Sequence, residues 1–315
     1  MSEILQVIKE PGWRHFVLNR PEKRNALSMP LLEALRDALA EADADDDVSA
    51  VLITANGPDF CSGMDVGSDD AAEPNARNTD LDMSKHVEAV EAPRRLLRSL
   101  WTFRKPVVVL VHGHCLAAGT ELVALCDIAI VTDDAQLGFP PIRDMGTTAA
   151  PMWTYYAGPQ WSRRLLYTGD SISGADAARI GLVLKALPAD QARAEALGLV
   201  RRLSKIDWQL LASQKRIENT TLELMGLHML HKMAAMTDGS AMTSPTARQL
   251  ANTPREEYIA VLKRRRTELF GPGIVNVTGP DPFDDDGRLL DGTSGSLPPT
   301  DRGRNAHVTD GEPQA

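Results

Sequence analysis

A chain of 315 residues, 43% hydrophobic and 24% charged, carries enough apolar side chain for one large core or two modest ones. The formal net charge of −9 and pI near 5.3 argue against the broadly basic surface that nucleic acid or anionic membrane binding needs, so an anionic ligand requires a local basic pocket. Cys61, Cys115 and Cys126 have no metal-type C-x-x-C spacing and follow no signal-like start, and no run approaches the roughly 18 apolar residues of a membrane span; the expectation is free thiols in the cytoplasm.

Ile4 to Ile8 and Trp13 to Leu18 alternate apolar and polar residues about Pro11-Gly12, which predicts a β-hairpin. Leucines and alanines at helical spacing from Pro30 to Ala40 predict a helix that runs into the acidic turn Asp43 to Asp47, and Val48 to Thr54 restores a strand. Residues 67 to 83, rich in Asp, Ala, Asn and Gly, predict a mobile loop able to cover a pocket, before a helix from Ser84 to Thr102. Pro106 to Val111 is a dense strand, Gly113 a turn, Ala118 to Leu125 a helix and Ile128 to Val131 a buried strand.

From Trp161 the pattern is mainly helical, with Ala175 to Ile180, a short strand near Leu182 to Ala186, and long helices over Asp190 to Leu203 and Trp208 to Met236. After Phe270, Gly, Pro and Asp dominate, a composition that cannot offset its ordering entropy. The chain therefore divides into an α/β core over 1–200, a helical region over 201–270 and a tail over 271–315 expected to be disordered, most clearly from about residue 280.

Two segments carry chemistry. Asp59-Phe60-Cys61-Ser62-Gly63-Met64-Asp65-Val66 follows a buried strand, and its small residues let backbone approach a ligand; the plainer reading is a strand-to-loop turn. Val111-His112-Gly113-His114-Cys115-Leu116-Ala117-Ala118-Gly119-Thr120-Glu121-Leu122 opens a helix on small residues, whose unpaired N–H groups suit a developing negative oxygen, with Glu121 one turn inside. His112 and His114 lie on one side of a strand without a third ligand at hand, which fits a packed pair better than a metal site.

These segments, with Leu18-Asn19-Arg20-Pro21-Glu22-Lys23-Arg24-Asn25-Ala26-Leu27 and Leu165 to Asp170, resemble the crotonase (enoyl-CoA hydratase/isomerase) superfamily from about residue 4 to 270. The resemblance implies an α/β spiral of ββα units with a helical C-terminal trimerisation region, assembled as a homotrimer or a dimer of trimers. It implies an acyl-CoA thioester substrate, with coenzyme A entering as part of the substrate; no motif implies a metal or a permanently bound cofactor, and the acidic charge implies no nucleic acid or membrane partner. By position, Ser62 and Ala118 resemble the residues whose backbone N–H groups hold the thioester oxygen. Arg24, Ala26 and Leu27, with Ser62, Gly63, Met64, Asp65 and Ala118, resemble the stretch beside coenzyme A, and Lys263 to Arg266 read either as further phosphate contacts or as a solvated helix face.

Hydratases of this kind use two glutamates. Glu121 matches the first, but the second falls in Leu137 to Gly146, where Pro140-Pro141 replaces the family's Pro-Glu. Asp144 is the sole carboxylate there: an acid or base in substitution, or else a salt-bridge partner of Arg143 or a helix N-cap. His86 reads either as a base reaching the pocket or as an ordinary loop-edge histidine, and the aromatics of 152–156 as an acyl pocket for a bulky chain or as core. The expected activity is that of an enoyl-CoA hydratase-like lyase. The missing glutamate keeps open isomerisation, C–C or thioester hydrolysis, and a catalytically idle acyl-CoA-binding subunit.

Overall fold

The computed structural model describes residues 3–66, 83–148 and 150–291. The expected loop at 67–83 falls, except for its last residue, outside them, and the side chain of His86 is not among those described. The hairpin forms as β1 (Leu5–Glu10) and β2 (Trp13–Leu18), paired antiparallel, and α1 (Met29–Ala44) starts on Ser28, whose hydroxyl caps the Leu31 N–H. β3 (Ala50–Ala55) then lies parallel to β2. The predicted 84–102 helix is two, α2 (Met83–Leu97) and α3 (Ser99–Thr102). β4 (Val107–Val111), β5 (His114–Leu116), α4 (Ala118–Leu125), β6 (Ile128–Thr132) and β7 (Gln136–Gly138) follow, then α5 (Trp153–Thr168), β8 (Ser171–Ser173), α6 (Gly174–Arg179) and β9 (Lys185–Leu187).

The main sheet runs β1-β2-β3-β4-β6-β9 and is parallel from β2 onward. Both faces are buried, as a parallel sheet requires. Alternation divides each strand between two cores: Val51, Ile53, Val107, Val109 and Val111 join the large core with α1, while Ala50, Leu52, Val108 and Leu110 pack under α7 (Ala189–Leu203) through Ala192, Ala196 and Val200.

A second sheet, β10 (Ile274–Val275)-β8-β7-β5, stands beside it. Its strands are two or three residues long, too short for periodicity to reveal: the alternation at His112 and His114 points to a strand where β5 begins, and nothing in the sequence marks β7, β8 or β10.

The helical region is α8 (Trp208–Leu224), α9 (Leu227–Ala241), α10 (Pro245–Ala251) and α11 (Arg255–Phe270). The single predicted 208–236 helix breaks at Gly226, which takes φ 92°, a left-handed conformation open to glycine. The disordered tail expected over 271–315 needs correcting for 271–291. Ile274–Val275 forms β10 against β8, and Val275 and Leu289 are buried in the large core, so two apolar anchors in a polar segment suffice to hold it down. The remainder, 292–315, lies outside the described residues.

Candidate active site

The two chemistry-bearing segments meet through backbone. The Cys61 N–H donates to the His114 carbonyl at 3.0 Å, the Leu116 N–H to the Cys61 carbonyl at 2.9 Å, and Cys61 and Cys115 pair as a parallel bridge. Glycine is required on both sides of the contact. A Cβ at Gly119 would lie 2.9 Å from the Cys61 oxygen, and one at Gly63, where φ is +105°, would lie 2.8 Å from the Ala117 Cβ and 3.6 Å from the Ala118 nitrogen. Gly63 thus sits directly against the start of α4.

That start is set by an unusual residue. Ala117 takes φ 51° and ψ −126°, a conformation L side chains avoid, held by its N–H on the Gly138 carbonyl (2.9 Å) and by its own carbonyl, which accepts the Thr120 N–H (2.9 Å) and hydroxyl (2.7 Å). Ala118 is the first residue of the helix, so its N–H has no intrahelical acceptor, and none is present among the described residues.

In the facing segment the accounting differs from the sequence expectation. The Ser62 N–H is taken by the Arg24 carbonyl at 3.0 Å, because Arg24 and Asn25 both adopt positive φ and turn that carbonyl inward. The Gly63 N–H faces the Cys61 Sγ at 3.5 Å, and the Asp65 N–H donates to the Leu27 carbonyl. The N–H in 62–65 without an acceptor among the described residues is that of Met64, the partner of Leu27 in an isolated bridge. The Ser62 N–H, expected to be free, is thus engaged, and it is the Met64 N–H that is left over in this segment. Which of four successive N–H groups is left over depends on pairing with 24–27, and no local pattern encodes it.

Glu121 lies one turn into α4 and is 2% exposed. Its Oε1 accepts the Thr148 hydroxyl at 2.7 Å and the Ala150 N–H at 3.3 Å; its Oε2 is 3.6 Å from the Nε of Arg94 on α2. Thr148 and Arg94 were not singled out by the sequence.

Asp144 goes elsewhere. Its carboxylate is fully buried and takes two hydrogen bonds of 2.7 Å from Nε and Nη2 of Arg266 on α11. Both its readings need correction: its partner is Arg266 rather than Arg143, which instead reaches the Thr168 carbonyl at 2.7 Å and Asp170, and a carboxylate with both oxygens in a bidentate pair is poorly placed as an acid or base. Arg266 is likewise removed from the phosphate contacts, and Arg264 lies 3.9 Å from Glu268. Pro141 contributes its carbonyl, accepting the N–H groups of Asp144, Met145 and Gly146.

The expected coenzyme A stretch divides similarly. Asp65 is buried and ion-paired with Arg20 at 2.8 Å, a bond that ties 19–27 to 59–65, and Ala26 and Leu27 are core residues. Arg24 keeps a half-exposed guanidinium whose Nε bonds Asp59 at 2.6 Å and whose Nη2 lies 3.2 Å from His114 Nδ1. Burial pushes the Asp59 carboxyl up, but the Arg24 guanidinium and the N–H and ring of His114 outweigh it and hold it at about 2. The two histidines point to different partners, His112 Nε2 to the Gly57 carbonyl (2.8 Å) and His114 Nδ1 to Asp59 (2.6 Å). Met152 and Trp153 are core, and the Tyr156 hydroxyl donates to the Ala124 carbonyl at 2.9 Å.

The profile of the family described as enoyl-CoA hydratase/isomerase matches residues 14–248, and the chain belongs to that family. It is 31% identical over 66% of its length to the Mus musculus "Enoyl-CoA hydratase domain-containing protein 3, mitochondrial", covering 67% of that protein. It is 28% identical over 58% of its length to the Arabidopsis thaliana "Delta(3,5)-Delta(2,4)-dienoyl-CoA isomerase, peroxisomal", covering 68% of it. The crystal structure of enoyl-CoA hydratase from Mycobacterium smegmatis superposes with a TM-score of 0.79 at 30% identity, over 85% of this chain and 94% of that one. The expected crotonase-type α/β fold holds.

Proposed function

We propose that this chain is a hydratase-like lyase acting on an enoyl-CoA thioester, with the N–H groups of Met64 and Ala118 receiving the negative charge that develops on the thioester oxygen. The observation that carries the reading is the pair of N–H groups with no acceptor among the described residues, on two glycine-locked segments with a buried glutamate one turn away. Fixed donors at a helix start stabilise an enolate oxygen, and losing one typically costs about 3 kcal/mol of barrier.

In water addition, Glu121 removes a proton from water as its oxygen bonds the β carbon, and the same proton passes to the α carbon as the enolate collapses. One carboxylate closes that cycle. A second reading, movement of the double bond, is favoured by the Asp144–Arg266 pair: a proton taken from one carbon and returned to another needs a single base and no water. Coenzyme A enters with the substrate, with Arg24 at the phosphate end. Cytoplasmic residence suits three buried free thiols. Assembly as a homotrimer or a dimer of trimers suits the apolar outer faces of α8 and α9, where Ile217, Leu224, Met229, Met233 and Met236 are exposed.

Incubation with crotonyl-CoA and a bulkier enoyl-CoA in heavy-oxygen water, followed by mass spectrometry, tests the reaction. A labelled 3-hydroxyacyl-CoA, abolished in Glu121→Gln, is the expected product. A shifted double bond without label selects isomerisation, label in a free acid selects hydrolysis, and tight binding without product selects a silent subunit.

A further inference from the structure

The chemistry of a buried carboxylate depends on what faces it, and Glu121 faces a cation. Arg94 belongs to α2, where Pro93 brings no N–H to the helical ladder, and its side chain folds back so that Nη1 donates to the Val90 carbonyl at 2.8 Å. This fold-back fixes the guanidinium plane. Nε is left buried without a hydrogen bond among the described residues, 3.6 Å from Glu121 Oε2, a separation at which the contact is electrostatic. On the other oxygen the carboxylate is held by Thr148 and Ala150, so Arg94 faces it from one side and the 148–150 segment from the other.

A carboxylate this deep is costly to leave uncompensated. The turn at 140–144 offers Pro141 and an Asp144 already paired with Arg266, so it adds no unpaired carboxylate to the site. We infer that Arg94 is the positioning residue of Glu121, holding its carboxylate in the orientation that meets the acyl group beside Met64 and Ala118. The inference rests on the proposed role of Glu121 and adds the residue that sets its geometry. It makes the site a carboxylate–guanidinium pair in place of two carboxylates.

Four proteins test it: Arg94→Met, Arg94→Lys, Glu121→Gln and the double variant Arg94→Met/Glu121→Gln. Thermal unfolding without substrate reads the pair directly, and the two single shifts are expected to be non-additive in the double variant. Turnover of the acyl-CoA the wild type accepts reads the positioning. Arg94→Met is expected to lower kcat by about 100-fold with KM changed less than about threefold, the signature of a displaced reacting group, and Arg94→Lys to recover about a tenth of the lost rate, well short of wild type. Additive unfolding shifts overturn the pair. Coupled unfolding with undiminished kcat in Arg94→Met overturns the positioning role and leaves a structural ion pair. Undiminished turnover in Glu121→Gln sinks the assignment of Glu121 instead, an outcome separable from the others because the unfolding cycle needs no substrate. Should Arg94→Met not fold, Arg94→Lys alone decides: its cation is kept and its planar fork lost, so wild-type kcat in it counts against positioning.

Discussion

Arg24, Asp59 and His114 form one charged cluster at the start of the 59–65 segment. Asp59 titrates near 2 in the folded chain against an ordinary 3.8, because Arg24 and His114 favour its ionised form. A depressed folded value means that the stabilisation is complete above 3.8 and is lost as the pH falls through about 2. Acid unfolding of Asp59→Asn is therefore expected to be flatter than wild type across that window, with a lower melting temperature at neutral pH; identical slopes would show that Asp59 contributes nothing to the acid limb. At this scale the sequence was legible wherever a residue type is demanded locally. Gly63, Gly119, Ala118 and Glu121 stand where backbone contact and helix phase require them. It was illegible wherever a role is set by a distant partner. Asp144 looked like a substitute carboxylate until Arg266, from α11, claimed it, and Met64 rather than Ser62 keeps its N–H because Arg24 turns a carbonyl inward. Arg94 gave no signal, since an arginine on a polar helix looks alike whether it meets water or a buried glutamate.

Among the elements, long periodic ones were readable and short ones were not. β4 and α4 emerge with almost the bounds their sequence implies, because dense valines and small helical residues leave little alternative. The strands of the second sheet depend wholly on each other. β10 pairs with β8, β8 with β7, and β7 with β5, which leads through Ala117 into α4; the Gly138 carbonyl at the end of β7 holds Ala117. The 271–291 segment thus buttresses the sheet that supports the site. Leu289, 1% exposed, anchors it, and its backbone pairs with Phe270 and Gly273. Leu289→Ala is expected to cost about 3 kcal/mol in denaturant unfolding, the scale of a buried leucine truncation. A change below about 1 kcal/mol would mean that the segment rides on the core without supporting it.

At the scale of the whole molecule, α8 and α9 bury the polar side chains Lys215, His231 and Asp238 beside apolar ones and leave several large apolar side chains exposed. On α8 the buried Lys215 reaches across to Asp127 at 2.7 Å and to the carbonyls of Leu100 and Lys105, while Leu210, Ile217 and Leu224 recur at two-turn intervals on the exposed face. On α9, Leu227, His231, Ala235 and Asp238 face the core, with Met229, Met233 and Met236 exposed opposite them. An ordinary surface helix exposes few large apolar side chains. Such an arrangement is stable in water only if the outer face is covered, and the proposed covering is the same face of further copies. Sedimentation equilibrium at micromolar concentration is expected to give the mass of a trimer or a multiple of it. The pair Met229→Glu and Met233→Glu, which places charge at two exposed positions of α9, is expected to reduce that mass toward the monomer while circular dichroism stays native. A monomeric wild type would remove the assembly proposal and leave the site untouched, because Met64, Ala118, Glu121 and Arg94 all come from one chain.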